Sequence, residues 1–359
     1  MEKFKVVFLS GSLSLSGSTV WVNNLIEATQ DLGVSCAHVV IGDKNKVKSS
    51  AYNVYKTCKA RRLFFINLLR VFQIYKLFPK FYGRVEDSYY CRKMECFLGG
   101  RVQDKVLVIK DNSAILPSFF LSDQFNIVSV LHHQNQVFQP LACDVLVAVS
   151  HAIMEGSRNI GFNVQHVVYN PVSTGKIIRL SEEYQPEEQN YIVYVGRLIR
   201  EKGVFELFTA FANLYKSGLT SHKLLYIGSG RCDPELKKRI KEEGLEGIVV
   251  LKGFSENPYP YIKHAKLLVL PSYSEAMGYV AVEASILGTS YLVADYPAAQ
   301  EFFCPENIFS MGTTSDEFVN NLKNKIVSLL DSPQAQMKSG VLQEMEPTVV
   351  AKKFLGMAQ

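Results

Sequence analysis

The chain has 359 residues, 47% of them hydrophobic and 20% charged. That is ordinary globular usage, and it excludes a disordered tail, a collagen-like fibre and a disulfide-stapled miniprotein. Lys and Arg total 39 against 34 Asp and Glu, a formal charge of +5, far from the basic stripe of a dedicated nucleic-acid binder. At roughly 100–200 residues per domain two domains are expected, each able to bury its own core. The cysteines Cys36, Cys58, Cys91, Cys96, Cys143, Cys232 and Cys304 include no CxxC pair and no zinc-type spacing, so reduced thiols in a cytoplasmic protein are expected. The first apolar run stops at Leu9, too short for a signal peptide, and no stretch approaches the ~20 apolar residues of a membrane span.

In chain order, a first strand is predicted at Val6–Leu9, then a Ser/Gly loop over 10–17 and a helix from Ser18 to about Leu32. Strand-like runs follow at Ala37–Ile41, Val106–Ile109, Ile127–Leu131, Val145–Val149 and Val164–Val168, with Ser150 placed to cap a helix from His151. Asn170-Pro171-Val172 ends this pattern, and the polar stretch 173–190 reads as a linker. The alternation restarts with strands at Tyr191–Val195, Lys223–Ile227, Ile248–Leu251, Leu267–Leu270 and Tyr291–Ala294. Helices are predicted between them at about Val204–Tyr215, Pro234–Glu243 and Gly278–Leu287, then at Asp316–Leu330 and about Thr348–Met357. Such alternation argues for parallel βαβ units buried on both faces, hence α/β architecture with two Rossmann-like domains. The expected domains are 1–172 and 173–344, the second including the linker, with the helix at about 345–359 packing back on the first.

One region departs from this pattern. Lys56 to Lys93 carries ten basic residues against Glu86 and Asp87, and within it Leu63–Phe78 is apolar except for Asn67, Arg70, Gln73 and Lys76. That spacing makes a helix with one narrow polar stripe. It suits either a core helix with a basic edge or contact with an anionic membrane, and the sequence leaves both open for 61–82.

Chemistry concentrates in the second half. Strand Tyr191–Val195 runs into Gly196-Arg197-Leu-Ile-Arg200-Glu-Lys202-Gly203. Ligands of open α/β sheets sit outside the carboxyl ends of the strands, so Arg197 and Lys202 stand where a phosphate would bind. Taken alone, two exposed cations at a strand–helix junction is the simpler reading. Eight positions separate Glu275, in the loop after Leu267–Leu270, from Glu283 in the next helix. Both are expected to point into the same crevice. Backbone N–H groups near Met277, Gly278, Tyr279 and Val280 offer a diphosphate the positive end of a helix, and a carboxylate beside it can accept hydrogen bonds from a vicinal diol. Glu283 lies among Val280, Ala281, Val282 and Ala284, where a carboxylate needs a partner.

From Tyr194 to about Ala294 the chain resembles the nucleotide-sugar half of glycosyltransferase family four, a retaining family with the GT-B fold. The resemblance rests on Gly196-Arg197…Lys202-Gly203, Gly228-Ser229-Gly230, Gly253-Phe254 and Glu275-x7-Glu283 with Gly278 inside it. The first half is similar at Gly17-Ser18, at Val130-Leu131-His132, and at Asp144–Ser150 and Asn170-Pro171-Val172.

The resemblance implies two facing domains, the first holding an acceptor and the second a nucleotide sugar, with UDP-sugar as the expected donor. Arg197 and Lys202 would hold the donor diphosphate, Glu283 the ribose hydroxyls, and Glu275 the donor sugar near its reacting carbon. His132 would bond the sugar or acceptor, with a satisfied loop histidine as the alternative; Gly17, Gly228 and Gly230 would let backbone approach the donor. No Asp-x-Asp pair occurs, so no metal or other cofactor is implied. The expected activity is sugar transfer to a glycan or lipid-linked acceptor, in bacterial lipopolysaccharide or surface-polysaccharide synthesis, by a cytoplasmic protein that contacts the membrane peripherally. An epimerase of GT-B fold and a silent nucleotide-sugar-binding protein are the alternatives. The chain departs from the family at Asp295–Glu301, where Ala298 and Ala299 replace a glycine pair, at Thr289-Ser290 in place of a small-Pro turn, and at Gly17, which lacks a partner glycine.

Overall fold

The computed structural model describes residues 5–10, 17–40, 54–56, 106–111, 125–132 and 143–357. The helix expected over 63–78 and the basic stretch from 57 to 93 lie outside the described residues. Two units emerge, one of residues 1–172 with 344–359 and one of 173–343.

The first unit has seven parallel strands: β1 (Val6–Ser10), β2 (Cys36–Val40), β3 (Val54–Lys56), β4 (Val106–Asp111), β5 (Phe125–Leu131), β6 (Val145–Ala148) and β7 (His166–Val167), in spatial order β3-β2-β1-β4-β5-β6-β7. The aliphatic runs are buried from end to end in β1 and nearly so in β5, as strands covered on both faces require. Helix α1 (Gly17–Asp31) follows β1 and α2 (His151–Asn159) follows β6. Ser150 caps α2 by accepting the Ile153 N–H at 3.3 Å. Ser150 is buried, so Ser150→Ala is expected to cost about 1 kcal/mol in a urea unfolding experiment.

In the second unit α3 (Thr174–Ser181) leads to a parallel sheet of β8 (Tyr191–Val195), β9 (Lys223–Ile227), β10 (Val249–Gly253), β11 (Leu267–Leu270), β12 (Tyr291–Ala294) and β13 (Ile308–Phe309), ordered β10-β9-β8-β11-β12-β13. Between and after the strands run α4 (Val204–Lys216), α5 (Asp233–Glu242), α6 (Tyr259–Lys263), α7 (Tyr279–Ile286), α8 (Ala299–Phe302) and α9 (Ser315–Asp331). The chain closes with α10 (Val341–Glu344) and α11 (Pro347–Gly356). Helix α11 packs on α1, with Phe354 edge-on to Trp21 at 6.3 Å between ring centroids. The two Rossmann-like α/β domains and the returning terminal helix are thus present.

The reading of 173–190 as linker is corrected by α3. Its Ile177 and Ser181 are buried, and it packs on α6 and α7. A short amphipathic helix with so few apolar residues gains its stability from docking rather than propensity, so composition alone hides it.

In both sheets the strand order reverses beside the unit's first strand, between β1 and β4 and between β8 and β11. A crevice at the carboxyl ends of the strands opens at such a point. In the second unit both flanking loops are described.

Candidate active site

Strand β8 ends in a loop that a buried phenol fixes: the Tyr194 hydroxyl donates to the Arg197 carbonyl at 2.8 Å. A 3-10 turn at Arg200–Lys202 follows, and Gly203 starts α4 at φ 65°. A Cβ at Gly203 would fall 2.0 Å from the Pro271 carbonyl oxygen. The β8 and β11 loops are therefore in backbone contact. Gly203→Ala combines a left-handed φ with that clash and is expected to cost roughly 3 kcal/mol or more, read as a collapse of the urea midpoint.

Glu275 lies in the β11 loop, and Lys202 donates to its Oε1 at 2.6 Å across this contact. Ser272 donates to the same oxygen at 2.8 Å. Both charged side chains are mostly buried, 18% and 17% exposed, so the attraction is less screened than at an open surface. Arg197 is exposed. The β8 loop thus carries the Arg197 guanidinium in addition to the Lys202–Glu275 pair, leaving a net positive setting for an oxyanion.

The β11 loop then turns into α7. Gly278 caps the helix at φ 91°, and the N–H groups of Ala281 and Val282 return to its carbonyl. Those of Tyr279 and Val280 head the first turn, where an α-helix has no internal acceptor for them. Buried Tyr296 holds this corner by donating to the Met277 carbonyl at 2.8 Å. Tyr226, also buried, donates to the Val204 carbonyl at 2.8 Å. Tyr194, Tyr226 and Tyr296 thus hold the backbone around the crevice. The sequence reading missed them; phenols inside or just beyond otherwise aliphatic strands were the available signal.

Glu283 sits one turn further along α7 and is 8% exposed. Tyr259, on α6, donates to its Oε1 at 3.4 Å, supplying the partner such a carboxylate needs. Burial pushes the Glu283 carboxyl up to about 7, and the Tyr259 bond pulls the other way. Tyr259 is itself raised, by burial first and then by the Glu283 charge.

Gly228 and Gly230 have a different explanation from ligand approach. A Cβ on Gly228 would meet the Gly196 carbonyl oxygen at 1.9 Å, and one on Gly230 would meet that of Leu198 at 2.2 Å. The glycines let the β9 loop pack against the β8 loop. His132 and Gly17 belong to the first unit. Gly17 opens α1; His132 follows the end of β5, half-buried, with its ring edge-on to Trp21 at 4.9 Å.

Thr289-Ser290 and Ala298-Ala299 have local structural roles. Thr289 donates to the Ile262 carbonyl at 2.9 Å, and Ser290 Oγ accepts the Gln334 N–H at 3.1 Å. Ala298 has an ordinary helical backbone, φ −89° and ψ −8°, and both alanine methyls are buried. Among the described cysteines Cys36 and Cys232 are buried, Cys143 and Cys304 half-buried, and none is in a disulfide. Among the described residues no helix is long and apolar enough to cross a membrane.

Residues 178–340 match the family model described as glycosyl transferases group 1. The putative teichuronic acid biosynthesis glycosyltransferase TuaC of Bacillus subtilis is 29% identical over 170 residues, 45% of this chain and 41% of that protein. An N-acetylgalactosamine-N,N'-diacetylbacillosaminyl-diphospho-undecaprenol 4-alpha-N-acetylgalactosaminyltransferase of Campylobacter jejuni is 30% identical over 138 residues, 38% of this chain and 37% of that protein. The matches span about two-fifths of these curated relatives. The whole chain is similar in fold to the lipopolysaccharide outer core galactosyltransferase WaaB, with a TM-score of 0.65 at 18% identity over 99% of both chains. It is also similar to Anabaena HepE in complex with UDP, with a TM-score of 0.62 at 17% identity over 99% of this chain and 98% of that one.

Proposed function

We propose that this chain, whose residues 178–340 match the group 1 glycosyltransferases, moves a sugar from a UDP-sugar to a glycan or lipid-linked acceptor with retention at the anomeric carbon. The observation that carries the reading is the Lys202–Glu275 pair, 2.6 Å apart, which joins the loops of adjacent strands β8 and β11 where the sheet order reverses. A cation for the phosphates and a carboxylate for the sugar thereby share one crevice.

Breaking the bond between the anomeric carbon and the diphosphate leaves negative charge on the departing nucleotide. Lys202, held by Glu275, and the N–H groups heading α7 are donors fixed in advance for that charge, and fixed donors stabilise it without reorganising; the exposed Arg197 adds a second positive charge. Glu283 would accept from the ribose diol, and Glu275 would hold a sugar hydroxyl. His132, at the end of β5, would bond the acceptor. Retention is what the family resemblance implies. With the diphosphate met by these donors, the reaction is expected to proceed in EDTA.

UDP as the donor base is supported by the fold shared with a UDP-bound neighbour. A role in bacterial surface polysaccharide, on a lipid-linked acceptor, is supported by the names of the Bacillus and Campylobacter relatives, teichuronic acid biosynthesis in one and a diphospho-undecaprenol substrate in the other. The test is product analysis with a panel of UDP-sugars and glycan or polyprenyl-diphosphate acceptors in EDTA. One donor is expected to yield a glycosylated acceptor with its anomeric configuration kept. An isomerised nucleotide sugar with no transfer would indicate an epimerase instead, and no turnover with any pair would reject the assignment.

A further inference from the structure

Glu283 lies in a pocket of phenols. Tyr259 reaches it from α6 and donates to Oε1 at 3.4 Å. Tyr279 stands one helical turn before it on α7, and its hydroxyl is buried without a hydrogen-bond partner. Residues four apart on a helix share a face, and the Glu283 charge raises the Tyr279 phenol after burial has done so. Oε2 of Glu283 accepts no bond from the described residues. The two carboxylate oxygens are therefore unequal: a protein donor occupies one, and the other remains for a ligand.

We infer that Tyr259 is a positioning residue for Glu283, holding Oε1 so that Oε2 accepts from a vicinal diol of the bound nucleotide. The inference rests on the donor-site reading above, in which Glu283 takes the ribose. Without this bond no hydrogen bond from the described residues would fix the carboxylate about its terminal torsion, and a charged acceptor deprived of its donor is costly when buried. Helix α7 packs against α3, α6, β11 and β12. Helix α3 carries Lys176 and Arg179, the latter 4.0 Å from Glu183, and α6 carries Lys263, paired with Glu182; among the described residues the phenols of Tyr259 and Tyr279 are the groups seen to interact with Glu283.

The test uses Tyr259→Phe in the full chain, with UDP titrated calorimetrically from pH 5.5 to 9. Tyr259→Phe removes a hydrogen bond that both favours the carboxylate and fixes it, so its UDP affinity is expected to fall about 3- to 10-fold at pH 7 and to recover only in part at pH 9, where the ionised group still lacks its holding bond. A Tyr259→Phe curve that superposes on wild type, or a loss equal at every pH, would overturn the inference, since a purely structural defect has no reason to follow the protonation of Glu283.

A second readout works without nucleotide. Thermal midpoints at pH 5 and pH 8 are expected to differ more in Tyr259→Phe than in wild type, because the variant holds its Glu283 proton to higher pH. If wild type binds no nucleotide, the donor-site reading fails; an unchanged gap between the two midpoints overturns the positioning role itself.

Discussion

A Glu283→Gln variant is expected to melt above wild type at pH 8 while binding nucleotide far more weakly. Glu283 is 8% exposed on a helix whose Ala281, Val282 and Ala284 are also buried, and burial pushes its carboxyl from 4.5 up to about 7. The unfolded chain releases this proton near the ordinary value, whereas the folded chain holds it until about pH 7. Between those values the folded state binds more protons, so stability falls as pH rises and levels off above about 7. The gap is worth about 3 kcal/mol at pH 8, which an uncharged glutamine recovers. For a unit of this size that corresponds to a rise of about 6–12 °C in Tm. At pH 4 both groups are neutral and the advantage disappears. Binding moves the other way: an amide offers a ribose diol a weaker acceptor, and about 10- to 100-fold lower affinity is expected. Scanning calorimetry at pH 4 and pH 8 with a UDP titration checks both halves.

Lys202→Ala is expected to lower kcat about 100- to 1000-fold, the effect of deleting one fixed donor to a developing anion. It also strips Glu275 of its cation, leaving only the Ser272 hydroxyl at 2.8 Å, for a stability cost of about 1–2 kcal/mol given the pair's partial burial. Arg197→Ala separates the two effects. Arg197 is exposed, so its variant should melt with wild type and yet lose turnover on a similar scale. Steady-state kinetics and melting curves on both variants distinguish a charge role from damage to the β8 loop.

Four strands of the second unit were legible to the residue because each is a short apolar run bounded by Gly, Pro or polar residues, while β10 runs to Gly253 rather than ending at Leu251 and the two-residue β13 is too short to read. Tyr191–Val195, Lys223–Ile227, Leu267–Leu270 and Tyr291–Ala294 form strands with those bounds. Helix α3 was hidden because docking on α6 and α7 is tertiary information. Helix α6 is only five residues long and carries a proline, so it has almost no periodicity to read.

Within the site, charge and spacing located Arg197, Lys202, Glu275 and Glu283, but not how they pair. The Lys202–Glu275 bond spans 73 positions and the Tyr259–Glu283 bond 24, distances at which sequence carries no contact signal. The same limit concealed the buried tyrosines, whose acceptors are backbone carbonyls with no residue signature. Gly228 and Gly230 stood out as glycines for a ligand, yet the atoms a Cβ would strike belong to the neighbouring loop. Ala298 and Ala299 looked like lost backbone freedom, but the observed φ at Ala298 requires none.

The most direct measurement is calorimetric titration of UDP, in EDTA at pH 8, into wild type and Arg197→Ala. Saturable one-to-one binding to wild type, weakened at least about 10-fold in a variant whose melting temperature is unchanged, is the predicted result. Equal affinity in both proteins would contradict the placement of the diphosphate beside the β8 loop, and no UDP binding to the wild type would contradict the donor site itself.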